Sequence, residues 1–213
     1  MAIFDTHAHY VKNDFGEALH PLLSSMSEAG VEKIMAVGYD LDSSREEMQL
    51  AEQYPFVWAA VGVHPENCEG LPADWLGQLA GMLSSPRVKA LGEIGLDRHY
   101  EGCDKVLQAE VFERQLQLAK TLDVPVIIHS RDACEDTMEL LRKYKPAGVM
   151  HCFSYSPEIA EEVGYSTSGS LINLFVKKVG TSPRQYRIRH MSKAIDAVCK
   201  TDVPFIDTDV PEL

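Results

Sequence analysis

The sequence has no apolar run of the roughly 18 residues that a membrane-spanning helix needs, so we expect no membrane association. Its first residues, Met-Ala-Ile-Phe-Asp, lack the basic stretch of a signal peptide, and a cytoplasmic location is expected. The five cysteines are scattered without ligand spacing, which favours reduced thiols over a disulfide framework. No G-x-G-x-x-G turn follows the first apolar run, which removes the main support for a dinucleotide-binding sheet.

Positive charge is also scarce. The chain has 20 Lys and Arg against 32 Asp and Glu, a formal net charge of −12. Such a chain repels a polyanion at long range, so binding of nucleic acid would require a local basic patch or bound metal ions. The hydrophobic fraction of 45% is that of an ordinary globular protein, and 213 residues suit one large domain. We therefore expect a single domain over residues 1–213.

Short apolar runs alternate with helical patterns along the chain. The predicted strands are Ala2–Phe4, Lys33–Val37, Val57–Val63, Val88–Leu91, Val124–Ile128 and Gly148–Met150. The predicted helices begin at a Ser43–Glu46 capping box, span Val106–Leu122, and follow Ser156 with Pro157 in the first turn. This alternation predicts parallel strands covered by helices, because parallel neighbours need a crossover connection. We expect an α/β fold, a (β/α)₈ TIM barrel at the short end of its size range.

The histidines stand at informative places. Five of the eight directly follow an apolar run: His7, His9, His64, His129 and His151. In a barrel the carboxyl ends of the strands converge on one face, which carries the active site. Residues two apart on a strand point to the same side, so the imidazoles of His7 and His9 can bind one ion together.

Two acidic segments add oxygen ligands. Glu93 follows the fourth predicted strand, and a carboxylate buried in a barrel mouth is costly unless a cation or an ion pair compensates it. Asp207 and Asp209 follow the last apolar stretch on one side of a strand, and one of them could hold metal and accept a proton. Imidazoles and carboxylates together suit Zn²⁺, Mn²⁺ or Mg²⁺.

The chain contains an ordered series of motifs: D-T-H-A-H from Asp5, G-V-H-P from Gly62, G-E-I-G-L-D from Gly92, a helix with Gln108, Phe112 and Gln115, P-V-I-I-H-S-R-D-A from Pro125 and H-C-F-S from His151. This series resembles the TatD family of metal-dependent deoxyribonucleases, within the amidohydrolase-like barrels. The closing D-T-D-V-P resembles the family's E-T-D-x-P, which would make Asp209 the functional aspartate.

The resemblance implies a site with two divalent ions. His7, His9 and Asp209 would hold one ion, His129 and His151 the other, and Glu93 would bridge them. Two such ions can stabilise both the attacking water and the departing oxygen of a phosphodiester, and Asp209 would accept the proton of the water. The expected substrate is DNA or a small phosphodiester.

Two further residues are candidate substrate contacts. His64 and Arg131 stand at the predicted rim of the site, where a phosphate needs hydrogen-bond donors for its orientation.

The last part of the chain departs from the family pattern. The sequence ends four residues after Asp209, where the family continues with a further helix. An uncovered apolar face usually marks an association surface, so we expect a second copy of the chain to cover this region.

Residues 159–190 are atypical. They include G-T-S-P-R-Q-Y-R from Gly180, which resembles the G-x-S-P-x-x-Y-R ending of a helix-turn-helix in AraC-type regulators. Between residues 163 and 195 there is no acidic residue and six basic ones: Lys177, Lys178, Arg184, Arg187, Arg189 and Lys193. The segment could be a nucleic-acid contact, a recombined piece, or an amphipathic helix with solvated charges. The third interpretation is favoured, because a helix-turn-helix needs supporting helices to enter a groove.

Two other functions fit the same residues. An amide or cyclic amide hydrolase would use the same constellation to activate water against a carbonyl. A non-catalytic relative would bind metal, or DNA through residues 163–195, without turnover.

Overall fold

The computed structural model describes residues 3–163 except 101 and 103. Contacts divide the chain into a first unit, Met1–Phe153, and a second unit, Ser154–Leu213. In the second unit the description reaches residue 163 and contains one short helix. The expectation of a single domain over the whole chain stays a prediction.

The strands and helices alternate as predicted. The strands are β1 (Ile3–Ala8), β2 (Val31–Val37), β3 (Val57–Val61), β4 (Val88–Asp97), β5 (Val126–Arg131) and β6 (Gly148–Met150). The α-helices are α1 (Lys12–Phe15), α2 (Leu19–Ser25), α3 (Leu41–Gln53), α4 (Trp75–Leu83), α5 (Lys105–Leu122), α6 (Cys134–Tyr144) and α7 (Pro157–Glu162). Two 3₁₀ turns cover Gly16–Ala18 and Pro65–Asn67.

The six strands form one parallel sheet in the order β1-β2-β3-β4-β5-β6. Each strand pairs with the next in sequence, and the order never reverses as it would in a doubly wound open sheet. Stepwise winding in one direction is how a (β/α)₈ barrel is built, so the predicted fold class is confirmed. Any further strands would lie in residues 164–213, outside the described range.

Alternate residues of each strand face opposite sides of the sheet. On β3, Val57, Ala59 and Val61 belong to a large cluster with helix residues such as Leu79 and Phe112. Ala60 instead joins Val37, Ala90 and Ile127 in a smaller cluster. The period-two alternation explains this division, with one face packed on helices and the other carrying the smaller cluster.

Several strands run further than the apolar runs predict. β1 continues to Ala8, β4 to Asp97 and β5 to Arg131. Apolar runs reveal only the part of a strand that lies in apolar surroundings. His7, Glu93 and His129 therefore lie within strands, whereas they were predicted to follow them.

The start of α3 was also predicted wrongly. The helix begins at Leu41 with Asp40 as its N-cap. Asp40 Oδ1 accepts from the Ser43 backbone N–H at 2.7 Å, and Ser43 Oγ accepts from the Asp40 N–H at 2.9 Å. Ser43 is thus the reciprocating third residue of the box and not its first, because a serine hydroxyl can fill either role.

Within residues 3–163, leaving aside 101 and 103, no helix combines the length and apolarity needed to cross a bilayer.

Candidate metal centre

Five of the predicted site residues come from four strands and meet at the carboxyl end of the sheet. His7 lies in β1 and His9 follows it, Glu93 lies in β4, His129 in β5, and His151 follows β6. Among the described residues, two groups of side chains could each hold an ion, with donor atoms that within each group all lie within 4.8 Å of one another: His7, His9 and Glu93; and His64, Glu93 and His129.

Glu93 is the member common to both groups. Its side chain is almost fully buried, and its two oxygens face different histidines. Oε2 lies 3.1 Å from His7 Nε2 and 3.8 Å from His9 Nε2, whereas Oε1 lies 3.1 Å from His129 Nδ1. Burial alone would raise the pKa of Glu93, but hydrogen bonds from His129 and His7 outweigh it and hold the pKa well below its usual range. The carboxylate is therefore ionised at any physiological pH.

His9 presents a lone pair to the site. Its Nδ1 lies 2.6 Å from the Val37 carbonyl oxygen, which can only accept, so Nδ1 carries the proton. In the neutral ring the lone pair is then on Nε2, which lies 3.3 Å from His7 Nε2. A backbone acceptor behind the imidazole is the usual support of a metal-binding histidine.

His7 shows that the donor set fits a cation. Its Nδ1 is buried and has no hydrogen-bond partner among the described residues. Its Nε2 shares a small space with the lone pair of His9 and the carboxylate of Glu93. Two imidazoles and a buried carboxylate that converge in this way are a nitrogen and oxygen set suited to Zn²⁺ or Mn²⁺.

His129 lies between two carboxylates. Nδ1 faces Glu93 at 3.1 Å, and Nε2 faces Asp97 Oδ2 at 3.0 Å. Burial would lower the pKa of His129, but the hydrogen bonds and charges of Glu93 and Asp97 raise it overall.

Asp97 is a site residue that sequence reasoning missed. Its carboxylate is buried, contacts His129, and also accepts from the His99 backbone N–H at 2.9 Å. The spacing of the two carboxylates could have revealed it, since residues 93 and 97 lie on the same face of one strand. It was overlooked because β4 was predicted to end at Leu91.

His64 was predicted to contact substrate, although it also belongs to the second group of possible ligands. Burial and the nearby charge of His129 lower the pKa of His64 to about 4, so the ring is neutral. Nδ1 accepts from the Glu66 N–H at 3.2 Å, which leaves the proton of the neutral ring on Nε2. This tautomer favours the role of donor to a substrate oxygen over that of a ligand.

The backbone beside His64 is held firmly. Gln115 of α5 is fully buried, accepts from the Val63 N–H at 2.9 Å and donates to the Val63 carbonyl oxygen at 3.0 Å. One carboxamide thus replaces the strand partner that the chain loses after β3.

His151 and Arg131 contact other groups around the site. The His151 ring stacks on His7 with centroids 3.6 Å apart, and its Nε2 lies 3.1 Å from Cys152 Sγ. Burial and the nearby charge of His7 lower the pKa of His151. Arg131 is exposed at the end of β5, with its guanidinium 5.5 Å from the centre of the Tyr100 ring.

The predicted pair of His129 and His151 on one ion stays a prediction. Asp207 and Asp209 lie outside the described residues, as does nearly all of the atypical segment 159–190.

Helix α3 fixes the chain that leaves β1 beside His9. Glu47 Oε1 accepts from the Tyr10 backbone N–H at 2.5 Å, and Glu46 Oε2 accepts from the Lys12 N–H at 2.9 Å. Glu47 is fully buried, and its Oε2 has no partner within the described part of the chain. Burial raises the pKa of Glu47 to about 8.

We expect Glu47→Gln to stabilise the protein at high pH. The folded state binds the Glu47 proton more tightly than the unfolded chain, whose pKa is near 4.5. The stability that the protonated Glu47 contributes is therefore fully present below pH 4.5 and is lost as the pH rises towards 8. One pKa unit corresponds to about 1.4 kcal/mol, so in urea unfolding the variant should exceed the wild type by up to about 5 kcal/mol at pH 9 and by less than about 1 kcal/mol at pH 4.

The neighbouring Glu46→Gln is the matched control and should change stability by less than about 1 kcal/mol at either pH. A Glu47→Gln variant no more stable than the wild type at pH 9 would contradict the raised pKa of Glu47.

The fold and this cluster define a class: an α/β barrel with a candidate metal site of histidines and carboxylates at the carboxyl ends of its strands. Comparison with known proteins narrows the class. The model of the "TatD related DNase" family matches residues 4–211. The chain belongs to this family, as the motifs predicted.

Relatives support the assignment. The metal-dependent hydrolase YabD of Bacillus subtilis is 32% identical over 214 residues, which are 99% of this chain and 81% of the relative. The 3'-5' ssDNA/RNA exonuclease TatD of Escherichia coli is 31% identical over 159 residues, covering 73% of this chain and 61% of the relative. The chain thus spans about three fifths of the length of that exonuclease.

Solved structures agree with the fold. A TatD homologue from Escherichia coli superposes with a TM-score of 0.69 at 34% identity, over 76% of this chain and 66% of that one. A TatD family hydrolase from Entamoeba histolytica gives a TM-score of 0.68 at 22% identity, which shows the fold alone. The prediction of a TatD-type metal-dependent hydrolase is confirmed at the level of the family.

Proposed function

We propose that the protein is a phosphodiesterase that removes nucleotides from single-stranded DNA or RNA at a site for two divalent ions. One observation carries the proposal: the buried carboxylate of Glu93 directs one oxygen to His7 and His9 and the other to His129. A single carboxylate between two imidazole groups is the geometry expected of a bridging ligand. The relatives named as exonucleases supply the substrate class.

The residues have separate roles in this proposal. His7, His9 and Glu93 would hold the first ion with Asp209, and Glu93, His129 and His151 would hold the second. When bound, the ions supply Lewis acidity, which favours deprotonation of water and offsets negative charge on the phosphodiester and its departing oxygen. They also give an acidic protein the local positive charge that a polyanion requires.

Other groups orient the substrate and move its proton. The Nε2–H of His64 donates to a phosphate oxygen, and the exposed guanidinium of Arg131 pairs with phosphate at the rim. Asp209 accepts the proton of the attacking water. The cytoplasmic location and the covering second copy of the chain remain predictions.

The test is degradation of end-labelled single-stranded DNA with Mn²⁺ or Mg²⁺, with metal content measured on the same samples. We expect product with wild-type protein and none in EDTA. His9→Ala should lower the activity by more than the roughly 10–100-fold that is typical when a residue that hydrogen-bonds a metal ligand is removed. His20→Ala is the matched control, because His20 lies on the exposed side of α2 and bonds Tyr54.

The outcomes separate the candidate functions. Metal binding with hydrolysis of cyclic amides and no nucleolysis would replace the proposal by the amide hydrolase. Metal binding without any turnover would favour the non-catalytic relative.

A further inference from the structure

A cavity of about 400 Å³ opens beside the metal centre. Its walls are the turn after β3, the loop after β4 and the first turns of α5. This volume lies in the range of sites that bind small organic groups.

The cavity and the metal centre share a wall. Asp97 lines the cavity, and its Oδ2 lies 3.0 Å from His129 Nε2. A nucleotide whose phosphate lies at the centre would therefore have its base or sugar within reach of the cavity.

The lining offers a flat aromatic surface. Tyr100 is 53% exposed and lines the cavity together with Pro65 and Leu107. The Arg131 guanidinium lies 5.5 Å from its ring centre, and Arg131 Nη1 lies 3.5 Å from its hydroxyl. An exposed aromatic ring beside an arginine is the usual surface on which bases of single strands stack.

The charge of the cavity decides which part of a nucleotide enters. Glu66, Glu69 and Asp104 line it, so a phosphate would be repelled. Asp104 Oδ1 already caps α5 by accepting from the Val106 and Leu107 N–H groups. Glu66 and Glu69 remain as acceptors for the exocyclic amino groups of adenine, cytosine or guanine, which thymine lacks.

We propose that this cavity binds the base of a nucleotide that adjoins the scissile phosphate, with Tyr100 stacked on the base and Glu66 and Glu69 selecting bases that carry an amino group. The inference rests on the proposed function and adds to it a base preference, with the residues that produce it.

The test compares oligothymidylates that carry dA, dT or an abasic residue at the terminal or the penultimate position. For the wild type we expect kcat/KM to fall about tenfold from dA to abasic, the size of one lost stacking contact. Tyr100→Phe should keep this ratio. Tyr100→Leu should bring the ratio of kcat/KM for dA over abasic near one, because it should lower kcat/KM for the dA substrate alone. The Glu66→Ala/Glu69→Ala double variant should remove the preference for dA over dT.

Binding in EDTA is measured separately by fluorescence anisotropy with the same labelled strands, and thermal unfolding checks that each variant is folded. If Tyr100→Leu weakens the natural and abasic strands equally in both assays, the base site is overturned. If the wild type cleaves nothing but still binds dA strands more tightly than abasic ones through Tyr100, the proposed function fails and the base site stands.

Discussion

Glu93→Gln should lose both metal ions and more than about a thousandfold of the activity. The substitution keeps the size of the side chain but removes the charge that faces His7 and His129 from its two oxygens. Stabilisation of developing charge by bound ions is worth several kcal/mol, and each 1.4 kcal/mol is a factor of ten in rate. The measurement is elemental metal content together with kcat/KM at saturating Mn²⁺.

The matched control is Glu113→Gln on α5. Glu113 lies on α5, bonds Lys143 and Tyr144, and belongs to neither group of possible ligands, so metal content and activity should stay at wild-type values. Two ions per chain in Glu93→Gln would contradict the bridging role, and one ion would assign Glu93 to a single position.

The location of the site could be predicted because it depends on chain direction alone. Once alternation of strand and helix implies a parallel barrel, every residue that follows an apolar run belongs to one face. His7, Glu93 and His129 are brought together for this reason, although they are far apart in sequence.

The partners of each imidazole could not be predicted in the same way. That His151 stacks on His7, and that His64 lies edge-on against His129 with centroids 4.3 Å apart, depends on the twist and stagger of neighbouring strands. These quantities are set by side-chain packing across the sheet, which a hydrophobic pattern does not contain. The burial of Glu47 was not predicted either, since a carboxylate on a helix is usually solvent-exposed.

Asp97→Asn should lower activity roughly 10–100-fold and leave the fold intact. A decrease of this size is usual when a carboxylate that hydrogen-bonds a metal-binding histidine is lost. Asp97 accepts from His129 Nε2, and this bond keeps the lone pair of the neutral ring on Nδ1, on the side of Glu93. Asparagine can offer its amide N–H₂ instead, which favours the wrong tautomer. Asp97 thus acts as a positioning residue through His129.

A pH profile separates this role from simple loss of structure. Asp97 and Glu93 raise the pKa of His129, and an ion can bind the ring only after it loses its proton. Metal affinity should therefore fall as the pH drops through the raised pKa of His129. In Asp97→Asn the pKa of His129 is lower. The metal affinity at high pH should therefore be weaker than in the wild type, but it should persist to lower pH.

NMR titration of the His129 ring measures the shift in its pKa, and calorimetry at several pH values measures the shift in metal affinity. Asp97→Glu should restore the wild-type pH profile in part. If Asp97→Asn lowers the metal affinity at high pH but leaves the pH midpoint of metal binding unchanged, Asp97 does not act through the proton of His129.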